Sequence, residues 1–222
     1  MRKEIKILGV IAALVIVAAV VGASYYRNTV QNERKPTATA DSRLVRPDSP
    51  TLGPADAKVT LVEFLDPECE SCRAFSPIIK QFLKNYEGRL RLVVRYVPFH
   101  PSSRIAAAYT EAAGEQGKYW EMQEIMFRNL PEWGERHGQP GPAQQIPPNV
   151  FFERYAEEIG LDVEKLRTAV TSNKFASKIE RDLKDAQSLG VTKTPSFFVN
   201  GRELMRFSQQ DLKALIEEEL KK

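Results

Sequence analysis

The sequence has little cysteine, little histidine and almost no net charge, and each shortage excludes a class of protein. Two cysteines in 222 residues exclude a framework of several structural disulfides. The 32 basic and 29 acidic side chains leave a formal net charge of +3, which gives no strongly basic surface for nucleic acid. With only two histidines beside the two cysteines, the sequence also favours neither a metal site nor a cofactor site.

The amino-terminal segment contains a long apolar run. Residues 7–23 have no charged side chain, and the run is preceded by three basic residues and followed by two tyrosines. A helix over residues 7–26 would be about 30 Å long, enough to cross the hydrocarbon core of a bilayer. We therefore predict a signal anchor, a transmembrane helix, over residues 1–26. The alternative is a cleavable signal peptide, because residues 21–23 are small enough to suit processing.

Residues 27–56 differ in composition from what precedes and follows them. They contain four prolines and mixed charges, and they show no apolar periodicity. This composition predicts a flexible linker. The remaining residues, 57–222, are enough for one domain of ordinary size.

The pattern of this domain predicts a mixed α/β fold. A run of β-formers at residues 59–65 is followed by a helical pattern over 69–86 and by a second strand at 90–97. Short connections in this order indicate a βαβ unit with parallel strands. Residues from about 102 to 189 are mainly helical by period and include a proline-rich loop over 131–149.

The carboxyl-terminal part returns to strands. Asn200-Gly201 follows the apolar residues 196–199 and is a strong signal for a hairpin turn into a second short strand. Ser208, with Asp211 three positions later, is typical of a helix N-cap. The predicted order is therefore a βαβ start, a helical insert and a ββα finish.

The two cysteines form a Cys-x-x-Cys pair at the junction of the predicted strand and helix. The sulfur of Cys69 would lie at the helix amino terminus, where unpaired amide groups and the helix dipole stabilise a thiolate. Cys72 follows one turn later on the same side, from which it can attack a mixed disulfide. We therefore predict that Cys69 is the nucleophile and Cys72 the resolving thiol.

Three other interpretations of the pair compete with thiol exchange. Zinc needs about four ligands, and only His100 and His137 are available to join the cysteines. A passive structural disulfide is disfavoured, because closing a two-residue loop restricts little of the unfolded chain. A non-catalytic metallochaperone that binds copper(I) through the two thiolates stays open, since copper(I) prefers soft ligands.

Two motifs far apart in the sequence resemble the thioredoxin superfamily. Residues 61–72, LVEFLDPECESC, resemble its active-site strand and helix start, and residues 191–201, VTKTPSFFVNG, resemble its cis-proline loop and following strand. With residues 118–122, KYWEM, and the helical insert, the chain is similar to the DsbA branch, which includes the anchored BdbD-type proteins. The resemblance implies a thioredoxin fold with an inserted helical subdomain and a thiol–disulfide oxidoreductase.

The resemblance also implies roles for single residues. Cys69 and Cys72 take the attacking and resolving roles. Pro195 would be a cis-proline packed against the disulfide, and the backbone of Thr194 would pair with a bound substrate strand. Glu63 aligns with a buried acid that relays the proton of the second cysteine. Burial would raise the pKa of Glu63 and suit it to act as a general base, and an exposed strand position is the alternative.

The chain departs from strong oxidants of the DsbA type between its cysteines. Those proteins have Pro-His there, whereas this chain has Glu70-Ser71, and Glu68 adds a second carboxylate beside Cys69. Both differences disfavour the thiolate, so we expect Cys69 to be less acidic than in a strong oxidant. The direction of electron flow is therefore open between oxidase, reductase and isomerase. His100, in Phe99-His100-Pro101, could reach the rim of the active site, but we interpret it as a solvated loop histidine.

The expected partners are cysteine-containing protein substrates, a membrane redox partner that recycles the cysteine pair, and the membrane itself through the amino-terminal helix. A long domain after a single amino-terminal span is usually translocated, and disulfide chemistry belongs to an oxidising compartment. We therefore expect a single-pass protein of the inner (cytoplasmic) membrane, with its catalytic domain in the periplasm or outside the cell.

Overall fold

The computed structural model describes residues 42–135 and 146–222, together with Gly22. Residues 38–222 form one compact unit, and residues 1–37 form another, of which Gly22 alone is described, in a helical conformation. The predicted signal anchor otherwise lies outside the described residues. Within the part of the chain that is described, no helix has the length and apolar character needed to span a bilayer.

A five-stranded mixed sheet forms the centre of the compact unit. Its strands are β1 (Thr51–Leu52), β2 (Val59–Leu65), β3 (Leu90–Tyr96), β4 (Ser196–Val199) and β5 (Arg202–Glu203), and they lie in the order β1-β3-β2-β4-β5. The central strand β2 pairs parallel with β3 and antiparallel with β4, and both outer strands pair antiparallel. The parallel β2–β3 pair and the β4–β5 hairpin confirm the mixed α/β fold.

Helices cover both faces of the sheet. They are α1 (Glu70–Asn85), α2 (Ser103–Gly114), α3 (Tyr119–Arg128), α4 (Leu130–Trp133), α5 (Pro148–Glu158), α6 (Val163–Thr171), α7 (Ala176–Ser188) and α8 (Gln209–Lys221). Helices α2 to α7 all lie between β3 and β4 in the sequence, which is the position predicted for the insert. Of the proline-rich loop predicted over 131–149, residues 136–145 lie outside the described residues.

The two faces of the sheet pack against different elements. Along β2, Leu61 and Leu65 belong to the larger core with α1, α8 and the insert, whereas Val62 and Phe64 belong to a smaller core with α7 and the segment before β1. This alternation is what a strand buried on both faces produces. Glu63 lies between Leu61 and Leu65 on the first face, so its side chain points to the side of the sheet that α1 covers.

The predicted flexible linker is wrong over residues 42–56, the part of it that the structure describes. Leu44 is buried, with 3% of its surface exposed, and the segment continues into β1, which pairs with β3. Arg46 donates hydrogen bonds to Asp185 on α7 at 2.8 and 2.9 Å. The segment docks because Leu44 enters the smaller core and Arg46 binds Asp185. Asp185 is 139 positions away in the sequence, so composition alone does not reveal this contact.

A buried ionic cluster joins this segment to the sheet. Arg95 on β3 is fully buried, and its Nη2 donates to Asp182 at 2.8 Å and to Asp185 at 2.6 Å, both on α7. Its Nη1 donates to the backbone carbonyl of Arg43. Since Arg46 binds Asp185 as well, the cluster holds together β3, α7 and the segment before β1.

Replacing Arg95 with methionine should strongly destabilise the protein, because two carboxylates on α7 lose their buried cation. Breaking a buried ion pair in this way costs about 3–5 kcal/mol of the free energy of unfolding. Arg104→Met is the matched control, since the side chains of Arg104 and its partner Glu180 are 53% and 45% exposed. Exposed pairs contribute about 0–1 kcal/mol. Urea unfolding followed by tryptophan fluorescence measures both losses, and equal losses would contradict the importance of the cluster.

Candidate active site

The two cysteines lie where β2 passes into α1. Cys69 takes the N-cap position of α1, and its backbone N–H donates to the carbonyl oxygen of Asp66 at 3.1 Å, which closes the turn between strand and helix. Cys69 is 8% exposed, whereas Cys72, in the first turn of α1, is fully buried. Both are free thiols in this structure. Cys69 is therefore the thiol of the pair that a substrate can reach.

The surroundings of Cys69 favour its thiolate. A hydrogen bond from the Cys72 thiol is the largest influence on its pKa, and burial opposes it. Hydrogen bonds from the side chain of Thr194 and from the backbone amides of Cys72 and Ser71 lower the pKa of Cys69 further, to about 5. These amides are ones that a helix leaves unpaired in its first turn. The result lies between the roughly 3.5 of DsbA and the roughly 7 of thioredoxin.

Cys72 has the opposite character. Burial raises the pKa of Cys72 well above its usual value, and the hydrogen bond to Cys69 and the negative charges of Glu63 and Cys69 raise it further. Near neutral pH the site therefore combines one thiolate with one protonated thiol. Before Cys72 can attack another sulfur it must give its proton to a base.

Glu63 is a buried acid at the centre of the sheet. It lies opposite Val94 of β3 and Phe197 of β4 in the strand register, and 5% of its surface is exposed. Burial, followed by the negative charge of Cys69, raises the pKa of Glu63 to about 8. The alternative of an exposed strand position is therefore wrong, and the expected raised pKa agrees with the structure.

A cavity of about 60 Å³ lies beside Glu63, between α1 and α3. Ser76 and Lys80 of α1 and Gln123 and Glu124 of α3 contribute to its lining. The side chains of Lys80 and Glu124 are 51% and 58% exposed and pair at 2.7 Å. The cavity is large enough for water, although most of its lining is apolar, and Glu63 and the half-exposed Lys80 and Glu124 all border it.

The loop before β4 lies against the nucleophile. The thiol of Cys69 donates to the carbonyl oxygen of Thr194 at 3.4 Å. The Thr194–Pro195 peptide bond is cis, as the resemblance implied, and Pro195 is buried. Because that carbonyl belongs to the peptide group that Thr194 shares with Pro195, both residues lie beside the sulfur. The structure thus brings the cysteine pair, Glu63 and this loop together.

Sequence reasoning missed Asp66 and misplaced His100. Asp66 is fully buried, and its carboxylate accepts hydrogen bonds from the backbone amides of Glu68, Phe99 and His100 at 2.8, 2.8 and 3.1 Å. The Nδ1 atom of His100 lies 2.7 Å from the same carboxylate, and its side chain is 20% exposed, so the interpretation as a solvated histidine is wrong. An acidic residue directly after the strand, Asp66, is visible in the sequence. Its contact with His100, 34 positions away, is not.

The chain is similar to known proteins over most of its length. The thioredoxin family model matches residues 46–218. The oxidised BdbD of Bacillus subtilis has a TM-score of 0.67 and 29% sequence identity, over 78% of this chain and 94% of that one. A thioredoxin-like oxidoreductase from Silicibacter pomeroyi DSS-3 has a TM-score of 0.66 and 30% identity, over 83% of this chain and 99% of that one. The likeness therefore covers most of the chain and both cysteines.

The curated relatives are longer proteins. The Na(+)/H(+) antiporter NhaA of Herminiimonas arsenicoxydans is 32% identical over 200 residues, which make up 88% of this chain and 30% of the antiporter. The chain spans less than a third of the length of the curated relatives it matches. Their antiporter name describes those longer proteins and assigns no transport function to this chain.

Replacing Glu63 with glutamine should remove a pH-dependent loss of stability. Because the pKa of Glu63 is raised from 4.5 to about 8, the stability that its proton supports is full below pH 4.5 and is lost as the pH rises through 8. The amide stays neutral, so Glu63→Gln should gain roughly 3–5 kcal/mol over the wild type at pH 8 and match it at low pH. Urea unfolding across this pH range measures the difference.

The exposed Glu124→Gln is the control for this prediction, and its free energy of unfolding should follow the wild type at every pH. A Glu63→Gln variant whose stability runs parallel to the wild type across the range would show that Glu63 does not hold the proton in the folded protein.

Proposed function

The chain belongs to the thioredoxin family, and from that premise we propose that it is a thiol–disulfide oxidoreductase acting on cysteine-containing proteins through Cys69 and Cys72. The observation that supports this most is the opposite shift of the two thiols. The pKa of the accessible Cys69 is lowered to about 5, whereas that of the buried Cys72 is raised. One stable thiolate and one protonated thiol are what stepwise exchange uses.

The reduction of a substrate disulfide takes two steps. The Cys69 thiolate attacks one substrate sulfur, which forms a mixed disulfide and releases the other substrate sulfur as a thiolate. Cys72 then loses its proton and attacks the Sγ atom of Cys69, which forms the Cys69–Cys72 disulfide and releases the second substrate thiolate. Two electrons pass from the cysteine pair to the substrate, and the reverse sequence oxidises a dithiol.

Glu63 is the proton acceptor for Cys72 in this proposal. Two observations support this role. Glu63 is buried on the sheet face that α1 covers, and its negative charge raises the pKa of the Cys72 thiol. The charge of Cys69 helps to raise the pKa of Glu63 to about 8, and this influence ends when Cys69 enters a mixed disulfide, so Glu63 then ionises more readily and can take the proton of Cys72. The cavity beside Glu63 offers that proton a path toward Lys80 and Glu124.

The substrate strand binds against the loop before β4 in this proposal. The contact between the Cys69 thiol and the carbonyl oxygen of Thr194 supports this, because a strand paired with Thr194 would bring its own sulfur to Cys69. Pro195 suits the position because proline has no N–H group that would need a partner beside the sulfurs.

The direction of electron flow follows from the partner that recycles the pair, for which we propose a redox protein of the membrane. A stabilised thiolate stabilises the reduced form, so a Cys69 pKa of about 5 makes the couple less oxidising than that of a more acidic thiol. The chemistry at Cys69 and Cys72 is the same for an oxidase, a reductase and an isomerase.

We also propose that residues 1–26 hold the protein in the inner membrane, with the domain in the periplasm or outside the cell. The length of the uncharged run over residues 7–23 supports the anchor. A compartment where disulfides persist suits the exchange reaction.

Cys72→Ser should accumulate mixed disulfides between Cys69 and its substrates, because a serine hydroxyl does not displace the substrate sulfur. Acid quenching, alkylation and non-reducing electrophoresis with a peptide containing one disulfide will show the adduct. Cys69→Ser lacks the nucleophile and is the matched control without an adduct. A folded Cys72→Ser protein without adducts, or a wild type that retains one copper(I) and exchanges no thiols, would favour the metallochaperone.

The full chain should stay with membranes after alkaline carbonate extraction, because the apolar run anchors it. Protease added to spheroplasts should degrade its domain. A variant lacking residues 7–23 is the control and should stay soluble in the cytoplasm. Recovery of a shortened wild-type protein in the soluble periplasmic fraction would instead support a cleaved signal peptide.

A further inference from the structure

The turn before the nucleophile contains two buried carboxyl groups. Asp66 is fully buried and Glu68 is 4% exposed. The Glu68 carboxylate accepts hydrogen bonds from the backbone amides of Ser102 at 2.7 Å and Glu135 at 2.8 Å. Negative charge this close to a sulfur opposes formation of the thiolate. Hydrogen bonds lower the pKa of Cys69 despite these carboxylates, and a positive charge nearby would stabilise the thiolate further.

His100 is built into this turn by two contacts with the same acid. Its Nδ1 atom lies 2.7 Å from the Oδ2 atom of Asp66, and its backbone N–H donates to that oxygen at 3.1 Å. The carbonyl of Asp66 in turn accepts the backbone N–H of Cys69 at 3.1 Å. One residue therefore ties both the imidazole and the nucleophile in place.

We propose that His100, held on Asp66, supplies the positive charge beside the Cys69 thiolate and is a positioning residue for thiol exchange. This inference rests on the proposed function for the importance of the thiolate. Strong oxidants of the DsbA type have a histidine between their cysteines, whereas Glu70 and Ser71 occupy those positions here and are exposed. His100 acts on the sulfur from a different segment, the loop between β3 and α2.

The groups that face His100 favour its charged form. Burial by itself lowers the pKa of His100, but the hydrogen bond and charge of Asp66, with the charges of Cys69 and Glu68, raise it above its usual value. Asp66 and Glu68 belong to the turn, and Cys69 begins α1. On α2, Arg104 instead pairs with Glu180 at 2.9 Å. Between the Cys69 pKa of about 5 and the raised pKa of His100, the imidazole is therefore cationic while the thiolate is present.

His100→Asn separates charge from hydrogen bonding, because the amide nitrogen of asparagine can replace Nδ1 as a donor to Asp66. We expect the pKa of Cys69 to rise by about half a unit to one unit, so that disulfide formation in glutathione buffer becomes about 3- to 10-fold more favourable at neutral pH. Thiolate absorbance and alkylation rates of the full chain in detergent measure the pKa of Cys69. An unchanged pKa would overturn the inference.

The pH dependence distinguishes a charge from a merely structural role. Below about pH 5, Cys69 is a thiol in both proteins, and above the raised pKa of His100 the wild-type imidazole is neutral. The wild type should be the more oxidising of the two only between these limits. A difference in potential of the same size at every pH would overturn the inference.

Measurements on His100 itself keep the inference falsifiable if His100→Asn does not fold. Coupling is reciprocal, so a thiolate that His100 stabilises must raise the pKa of His100 by the same amount. The chain has two histidines, and His137→Asn assigns their NMR signals. The pKa of His100 should be about half a unit to one unit higher in the reduced protein than in the disulfide form. Equal values would overturn the inference.

The proposed function and this inference fail separately. Normal thiol exchange by the wild type, with no coupling between His100 and Cys69, would overturn the role of His100 and leave the function intact. Coupling in a wild type that exchanges no disulfides would support the role of His100 and overturn the proposed function.

Discussion

The position of Cys69 at the junction of β2 and α1 is the constraint on which the rest of the site depends. Strand β2 is hydrogen-bonded on both edges, so its carboxyl end has one position relative to β3 and β4. The turn at Asp66 then places the sulfur on the unpaired amides of α1. Because β4 pairs with β2, the loop that contains Thr194 and Pro195 is delivered to the same sulfur.

The charge of Cys69 influences Cys72 and Glu63, and this coupling sets the order of substrate attack and deprotonation of Cys72. The thiolate of Cys69 raises the pKa of both Cys72 and Glu63. When Cys69 enters a mixed disulfide, its negative charge disappears, and with it this influence on both groups. The proton of Cys72 is then easier to remove than in the reduced protein. Cys72 therefore loses its proton after Cys69 has formed a mixed disulfide with the substrate, and not before.

Local sequence patterns predicted those parts of the structure that depend on neighbouring residues. The βαβ unit, the Asn200-Gly201 turn and the Ser208 cap, whose side chain accepts from Asp211 at 3.0 Å, all follow from periodicity and capping chemistry. Predictions from composition were wrong where a charged residue far away in the sequence holds a segment in place. The proline-containing segment around Arg46 docks on Asp185, and His100 turns inward to Asp66. A single sequence contains both partners of each pair but no sign that they meet.

The buried carboxylates on the two faces of the sheet have different surroundings. On the face that α7 covers, Asp182 and Asp185 are paired with Arg95 and stabilise the packing of helix on strand. Burial alone would raise the pKa of Asp185, but the hydrogen bonds and charges of Arg46 and Arg95 lower it, so this carboxylate does not take a proton near neutral pH. On the opposite face, burial and the charge of Cys69 govern Glu63, whose pKa of about 8 suits it to exchange a proton there. An arginine beside Glu63 would stabilise its charge and remove that ability. Among the residues that the structure describes, Glu63 forms no ion pair, and this is what fits it for proton transfer.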